Sequence, residues 1–367
     1  MELNLNIFTL NCWGIPIVSK NRKERIVAIA KYLVQASHNI VCLQEIWSEN
    51  DYLYLQEQLS KSLPYSHYFY SGVLGSGLCV FSKWLIQDVF FHQWPLNGYI
   101  HKIHHGDWFG GKGVGLCRIK CNDRLINVYC THLHAEYHED DIYLAHRVLQ
   151  AYSTAELISQ LPALIDPCSL DHVANKTDQI LGTCDNINNS YSDAKLVKTC
   201  PEGKRIDHIL FHVKSGLEAV VVNFGNPLEN RVPGESFSYS DHNAVSLELK
   251  LNSTNKINQR QLSAEEKFQE TIEETIKVCK DATKTIGKSR KLYLLTGGLI
   301  FMFLLGSVGF WPNNIISDIL KIILTGICFY YLIMGTLWNR IEMNSLKAGL
   351  RALENFNKNR NDEKNVN

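Results

Sequence analysis

Side chains able to hold a cation, move a proton or grip a phosphate stand at the ends of apolar runs in this chain. LNIFTLN ends in Asn11, with Cys12-Trp13-Gly14 after it, and IVCLQE ends in Glu45, with Ile46-Trp47 after it. A carboxylate at the mouth of a buried strand needs a partner or a cation once ionised. One reading of Glu45 is a salt-bridged strand end. The other is a ligand for Mg2+, a hard ion satisfied by one or two carboxylates, waters and phosphate oxygens. INVYCTHLHAEY sets His132 and His134 directly after a third run, RIDHILF puts Asp207 at the head of another, and YSDHNAV puts Asp241 and His242 at the entry to the last. An imidazole with a near-neutral pKa suits general acid–base work, and a second carboxylate can orient its ring. Zinc fits poorly, since the spacings lack HxxxH or CxxC.

The elements that must position these groups alternate in type. Apolar, β-branched runs bounded by turns predict strands over 4–10, 40–44, 76–82, 113–119, 125–131, 206–213, 218–224 and 244–250. Helical periodicity predicts helices over 22–35, 51–60 and 141–161, the last opened by Asp140 and Asp141. Many short strands with few helices point to two sheets packed face to face, with helices outside.

The C-terminal third differs. Leu292 to Trp311 is twenty residues without a charge, long enough to cross a bilayer core of about 30 Å. A second apolar stretch runs from Ile319 to Trp338, broken by Lys321, and Pro312-Asn313-Asn314 makes a turn between the two. Lys288, Arg290 and Lys291 precede this hairpin, and Arg340, Lys347 and Arg351 follow it. The positive-inside rule then places both chain ends in the cytosol. Ser263-Ala264-Glu265-Glu266 reads as a capping box, and Phe268, Ile272, Ile276, Cys279 and Ile286 form an apolar stripe at helical spacing. The segment 251–262 reads as a linker, and the stretch from Phe356 onward as disordered. The expected organisation is a 1–250 α/β domain, a 251–291 linker and amphipathic helix, two transmembrane helices over 292–338 and a polar cytosolic tail over 339–367.

Composition narrows the classes. The chain has 37 basic and 37 acidic residues, but 251–367 holds 16 and 11 of them while 1–250 holds 21 and 26, charges of +5 and −5. An acidic body speaks against a protein held on nucleic acid by a basic face. Eleven Cys without CxxC spacing, with Cys12, Cys42, Cys79, Cys117 and Cys130 in apolar runs, read as reduced core residues. MELNLNIF lacks the order of a signal peptide, so the expected compartment is the cytosolic side of a membrane, the endoplasmic reticulum or another intracellular one. The sequons at Asn175, Asn188 and Asn252 would then stay unmodified. Asp107, before a run of glycines, reads equally as a site loop or a turn. The cluster of His101, His104 and His105 reads as a solvated loop, with a metal site as the alternative.

Asn11 in N-C-W-G, Glu45 in L-Q-E-I-W, and the strings T-H-L-H, R-I-D-H and S-D-H resemble the Mg2+-dependent endonuclease/exonuclease/phosphatase superfamily. NCWGIP, GSGLCVFSK, NGYIHKIHHGDWFGGKGVGL, THLHAEY and IYLAHRV are similar to neutral sphingomyelinases of the animal two-transmembrane-helix type. The resemblance covers nearly the whole chain. It implies a four-layer α/β sandwich followed by the transmembrane hairpin, with Mg2+ held by Glu45 and helped by Asn11. It implies that His242, oriented by Asp207, takes the proton from the attacking water. His132 would bind phosphoryl oxygens or assist the departing ceramide oxygen, and Asp241 would support the metal and histidine network. Sphingomyelin would be the substrate, ceramide and phosphocholine the products, and the bilayer the one partner, without nucleic acid or an obligate protein. A lysophospholipase C acting on choline lysophospholipids and a catalytically dead family member are the alternatives.

One departure stands out. The superfamily carries a strand ending in Gly-Asp-x-Asn between the T-H-L and R-I-D elements, and this chain has no such string. Between His132 and Asp207 the predicted helix runs directly into Pro162, and Cys184-Asp185-Asn186 follows no buried strand. A strand and its following helix are therefore expected to be missing near 162, with a loss of stability and activity, because both neighbours of a lost strand keep unpaired backbone groups.

Overall fold

The computed structural model describes residues 3–99, 102, 105–136, 141–158, 164–170, 182–214, 216–254 and 265–366. His101, His104, Asn175, the Pro162 junction, Ser263 and most of the expected linker lie outside these residues. The chain falls into two compact units, neither continuous in sequence: Met1–Trp94, Phe109–Leu133 and Leu157–Leu262 in the first, and Pro95–Trp108, His134–Glu156 and Ser263–Asn367 in the second.

In the first unit β1 (Leu3–Asn11) leads through α1 (Arg22–Gln35) to β2 (Ile40–Gln44), a parallel pair that requires such a crossover. α2 (Glu49–Leu59), β3 (Tyr65–Tyr68) and β4 (Cys79–Ser82) follow, then β5 (Ile86–Gln93), β6 (Gly113–Cys121) and β7 (Arg124–Thr131). β8 (Leu217–Gly225) and β9 (Val245–Ser253) close the unit. The larger sheet has the order β3-β4-β2-β1-β9-β8 and the smaller β5-β6-β7.

Alternation along the central strands explains the layering. Phe8 and Leu10 of β1, with Val41 and Leu43 of β2, pack on Ile26, Ile29 and Leu33 of α1 and on Leu55 and Leu59 of α2. Ile40 and Cys42, on the opposite face of β2, meet Cys117 and Ile119 of β6 and Cys130 of β7. The first unit is thus helices on sheet on sheet, the α/β arrangement expected. The five cysteines read as core residues are buried, and every cysteine is a free thiol.

Three sequence expectations change. β3 and β5 were hidden because Ser66, Gln87 and Asp88 interrupt the apolar pattern. The expected strand over 206–213 is not a ladder: Phe211 pairs with Ile165, Lys204 pairs with Cys184, and the residues between have no strand partner among those described. The segment still alternates in burial like a strand, but a ladder needs consecutive partners. β9 runs on to Ser253, into the expected linker.

In the second unit α3 (Leu144–Leu157) stands in the place predicted over 141–161, although these residues belong to the expected 1–250 domain. α4 (Ala194–Thr199) is a short helix of the first unit. The amphipathic helix and first apolar stretch form one continuous helix, α5 (Glu265–Gly306). α6 (Ile315–Ile333) continues through a π-helical turn, Met334–Trp338, into α7 (Asn339–Val366). The tail expected to be disordered is therefore helical to Val366, since extending a formed helix costs far less than nucleating one. Ile272, Cys279 and Ile286 of α5 pack with Leu346 and Leu353 of α7 and with Tyr143 and Leu149, as the apolar stripe required. Two helical stretches, Gln269–Gly306 and Ile315–Asn357, are long and apolar enough to cross a membrane. Leu295, Leu299, Phe303, Ile316, Ile322 and Phe329 on them are more than half exposed.

Candidate active site

Register places the polar strand ends together. Asn11 pairs with Gln44 at the last rung of β1 and β2, so Asn11 and Glu45 leave the sheet at one edge. β9 runs antiparallel to β1, with Val245 opposite Thr9, so Asp241 and His242, just ahead of β9, arrive at the same edge. Gln44 donates to the Cys130 Sγ at 3.5 Å, which ties β2 to the end of β7 just before His132.

Glu45 sits in a left-handed conformation, φ 57°, rare for a side chain with a Cβ. Its backbone is clamped: the Glu45 carbonyl accepts from Gly14 N at 3.0 Å, and Ile46 N donates to Gly77 O at 3.0 Å. A Cβ on Gly14 would run into that Glu45 carbonyl. The Asn11 amide donates to Glu45 Oε1 at 2.8 Å, and His132 Nε2 lies 3.8 Å from the same oxygen. Oε2 is buried and accepts no hydrogen bond among the described residues. A buried carboxylate oxygen without a donor favours a bound cation.

His242 and Asp207 form the second cluster. His242 Nδ1 donates to Asp207 Oδ2 at 2.8 Å, which leaves Nε2 to exchange a proton. Burial opposes the charged imidazolium, but the Asp207 carboxylate outweighs it and holds the His242 pKa well above the usual histidine value. Asp241 is pushed up to about 6, chiefly by burial, with the His242 charge pulling it down and Glu45 pushing it up. Ser240 Oγ donates to Asn11 O at 2.6 Å and lies 3.1 Å from Asp241 Oδ1. The structure thus gathers all six expected residues into one group of carboxylates, imidazoles and an amide.

Sequence reasoning missed the residues that hold this group in place. Arg25 is fully buried and donates to Cys12 O (2.6 Å), Trp13 O (2.7 Å), Lys20 O (2.9 Å) and Tyr239 O (3.3 Å). Its guanidinium lies over the Trp13 ring at 5.0 Å and the Tyr191 ring at 5.7 Å. Four backbone acceptors from both site loops explain why a buried arginine is tolerated here. A helical apolar pattern with Arg22 and Arg25 in its first turn gives no hint of that role. Thr183 Oγ1 accepts from Ile206 N at 3.1 Å and Asp207 N at 3.0 Å, while Asn243 N donates to Thr183 O at 2.7 Å. Cys184 bridges both Lys204 and His242. The 182–186 segment therefore joins the Asp207 and His242 segments through its backbone. Asp185, by contrast, accepts from Asp193 N at 3.3 Å, and Asp166 pairs with Arg205, so neither enters the group.

The other flagged residues lie in the second unit. His134 is buried and stacks on Tyr143 at 3.9 Å, with Asp107 Oδ2 3.3 Å from its Nδ1. His105, expected in a solvated loop, is buried, with Nδ1 2.6 Å from the Tyr143 hydroxyl. Tyr143 takes up the imidazole that was expected to meet water.

Residues 8–242 match the model of the Endonuclease/Exonuclease/phosphatase family. A putative neutral sphingomyelinase of Drosophila melanogaster is 34% identical over 426 aligned residues, covering 96% of each chain. That alignment is longer than the 367 residues here, so part of the relative has no counterpart. Human sphingomyelin phosphodiesterase 2 is 39% identical over 66% of this chain and 64% of its own length. An inositol phosphosphingolipids phospholipase C of Schizosaccharomyces pombe is 31% identical, over 67% and 68% of the two chains.

Proposed function

The chain belongs to the endonuclease/exonuclease/phosphatase family and, within it, to the neutral sphingomyelinases, and from that premise we propose that it is a Mg2+-dependent, phospholipase C-type hydrolase of sphingomyelin at a membrane surface. The observation that carries this reading is the buried Glu45 Oε2 without a donor, beside the Asp207–His242 pair. Glu45 would hold the ion and Asn11 would fix its carboxylate, a donor set that suits a cation satisfied by few carboxylates and several waters. When bound, Mg2+ polarises the phosphodiester and takes up charge that builds on its oxygens.

The chain's own residues do the rest. Asp207 fixes the His242 tautomer, and Nε2 accepts a proton from the water that attacks phosphorus. The new water-oxygen bond to phosphorus forms as the bond to the ceramide oxygen breaks. His132 steadies phosphoryl oxygens or protonates that leaving oxygen, so the products are ceramide and phosphocholine. Arg25 and Ser240 hold the backbone around Asn11, and Asp241 supports the histidine.

The exposed apolar helices support a hairpin spanning the bilayer. The basic residues Lys288, Arg290, Lys291, Arg340, Lys347 and Arg351 that flank it support both chain ends being cytosolic, which keeps the hydrolase where two-chain lipids present their headgroups. A second reading, a family member with impaired catalysis, is favoured by the absent Gly-Asp-x-Asn string. Phosphocholine release from sphingomyelin in detergent micelles, with and without Mg2+ and beside Glu45→Ala, separates the two. Mg2+-dependent turnover abolished by the substitution supports the hydrolase. A folded protein without turnover supports the impaired form. Lysophospholipid in parallel assays tests substrate choice.

A further inference from the structure

Two connections of the first unit carry large apolar side chains into solvent. The first joins β1 to α1, where Ile17 is fully exposed and Val18 more than half exposed. The second joins β3 to β4, where Val73 is 81% exposed and Tyr70 and Leu74 are more than half exposed. Register puts both at the sheet edge that carries Glu45. β4 is antiparallel to β2 with Cys79 opposite Leu43, and β3 is antiparallel to β4 with Tyr68 opposite Cys79. The β3–β4 connection therefore leaves the sheet where Gln44 and Glu45 do, and Ile46 N donates to its Gly77 O at 3.0 Å. The β1–α1 connection starts from Asn11 and is tied to Glu45 O through Gly14 N.

Both connections are braced so that their tips stay outward. Arg25 binds the carbonyls of Cys12, Trp13 and Lys20, on either side of Ile17, and Ser19 N closes a turn on Ile15 O at 3.1 Å. Ile17 itself is held at φ 71°, where a β-branched residue is an outlier. Glycine or asparagine would serve a mere turn better. In the β3–β4 connection Gly72 bridges Gly110, and Gly111 N donates to Gly75 O at 3.1 Å. The backbones meet so closely that a Cβ on Gly72 would lie 2.4 Å from Gly111 N.

Single exposed apolar residues are ordinary, but groups of them on two braced loops beside one site mark an interaction surface. The site they flank selects the partner. On the hydrolase reading, Glu45 and His242 act on the phosphodiester of a two-chain lipid, at the headgroup level of a bilayer. Their edge of the sheet must then face the bilayer, where apolar tips meet the boundary between headgroups and acyl chains. Charge agrees, although residues 1–250 as a whole are net acidic. Lys20 and Lys23, exposed at the root of the first connection, outnumber Glu24 there and complement lipid phosphates. Glu49 is taken up by the Tyr70 hydroxyl at 2.5 Å. Helices apolar enough to cross a membrane, on the same chain, keep a bilayer at high local concentration, so weak insertion suffices.

We propose that Ile17 and Val18, together with Val73 and Leu74, insert into the lipid surface and seat the Glu45 edge on it. The choice of partner rests on the hydrolase reading; the two loops and their exposure do not.

The test uses the full chain in phosphatidylcholine nanodiscs holding one copy each. Ile17→p-acetylphenylalanine and Val73→p-acetylphenylalanine are each coupled to a fluorescent dye. A label at Asp123, in the turn at the far end of β7 from His132, is the control. Lipids with a doxyl quencher just below the headgroup should quench the first two labels about threefold or more beyond the third. Ile17→Asp combined with Val73→Asp should raise the KM for sphingomyelin in vesicles by about tenfold, the scale of losing buried apolar side chains. Its kcat on short-chain sphingomyelin dissolved as monomers should stay level. Labels at 17 and 73 quenched no more than the one at 123 overturn the proposal, as does an unmoved KM in a folded double substitution. Shielding that needs two copies per disc and shows no lipid quenching also overturns it, by making a second copy the occupant. Quenching needs no turnover, so the two readings fail separately. Quenched loops without sphingomyelin hydrolysis count against the hydrolase reading and support insertion, whereas hydrolysis with unquenched loops ends insertion alone. If the double substitution unfolds the chain, quenching decides.

Discussion

The Asp207 carboxylate lies 2.8 Å from Nδ1 of His242, joining the two segments that flank residues 208–241. The pairing fixes which imidazole nitrogen is available and raises the pKa of the ring. A general base works only when neutral, so a raised pKa places the rise of activity with pH above the ordinary histidine value of about 6.5. Asp207→Asn removes the charge that stabilises the imidazolium. Turnover should fall by about 10²–10⁴-fold while the acid limb of the pH profile moves to lower pH. A purely structural role for Asp207 would lower activity without moving that limb, and pH profiles of both proteins decide.

Glu45 combines two local penalties, a left-handed backbone and a buried carboxylate oxygen without a donor. Residues held this way persist when function requires them. Glu45→Gly should relieve both, so the melting temperature should stay level or rise, by about 1 kcal/mol of stability, while activity is lost. A clear fall in melting temperature would mean that Glu45 is a structural strand end.

His38 gives the first unit a pH-dependent stability. Its Nδ1 lies 2.9 Å from Asn6 Oδ1 and its Nε2 3.3 Å from the Tyr32 hydroxyl, and burial lowers its pKa to about 4. Between pH 4 and 6.5 the unfolded chain carries a proton on this ring that the folded chain lacks, so stability falls as pH drops through that window. Other groups titrate there too, so the comparison with His38→Gln is what matters. Melting curves of the substituted protein should show a shallower loss between pH 6.5 and 4, and parallel curves would exclude His38 as the source.

The candidate group was readable because each member ends or begins an apolar run, and ends of that kind converge here. Asn11, Glu45 and His242 needed only that rule together with the order of elements. Arg25 and Thr183 were not readable, because they act on backbone groups of loops whose path no periodicity encodes. The 206–213 segment misled for a related reason: its composition is that of a strand, but strand formation depends on a neighbour elsewhere in the chain. His105, read as part of a solvated loop, misled because its partner Tyr143 comes from a distant segment.

Residues 204–214 alternate in burial, and Ile206 and Leu210 on the outward side are 52% and 47% exposed. β7 is an edge strand of its three-stranded sheet. Exposed apolar positions on a strand-like segment, beside a fold with an open edge, are what loss of a strand and its covering helix would leave. Grafting near residue 162 the strand–helix unit that carries Gly-Asp-x-Asn in a relative should therefore bury Ile206 and Leu210 and convert 206–213 into a ladder. The melting temperature should rise by several degrees, and Mg2+-dependent phosphocholine release by about 10²-fold or more, the scale of restoring a group that stabilises charge in the transition state. Hydrogen exchange at Ile206–Phe211 reads the new ladder independently of activity. Matching melts and unchanged exchange would mean that the chain is complete as it stands, with the 182–186 backbone serving in place of the missing strand.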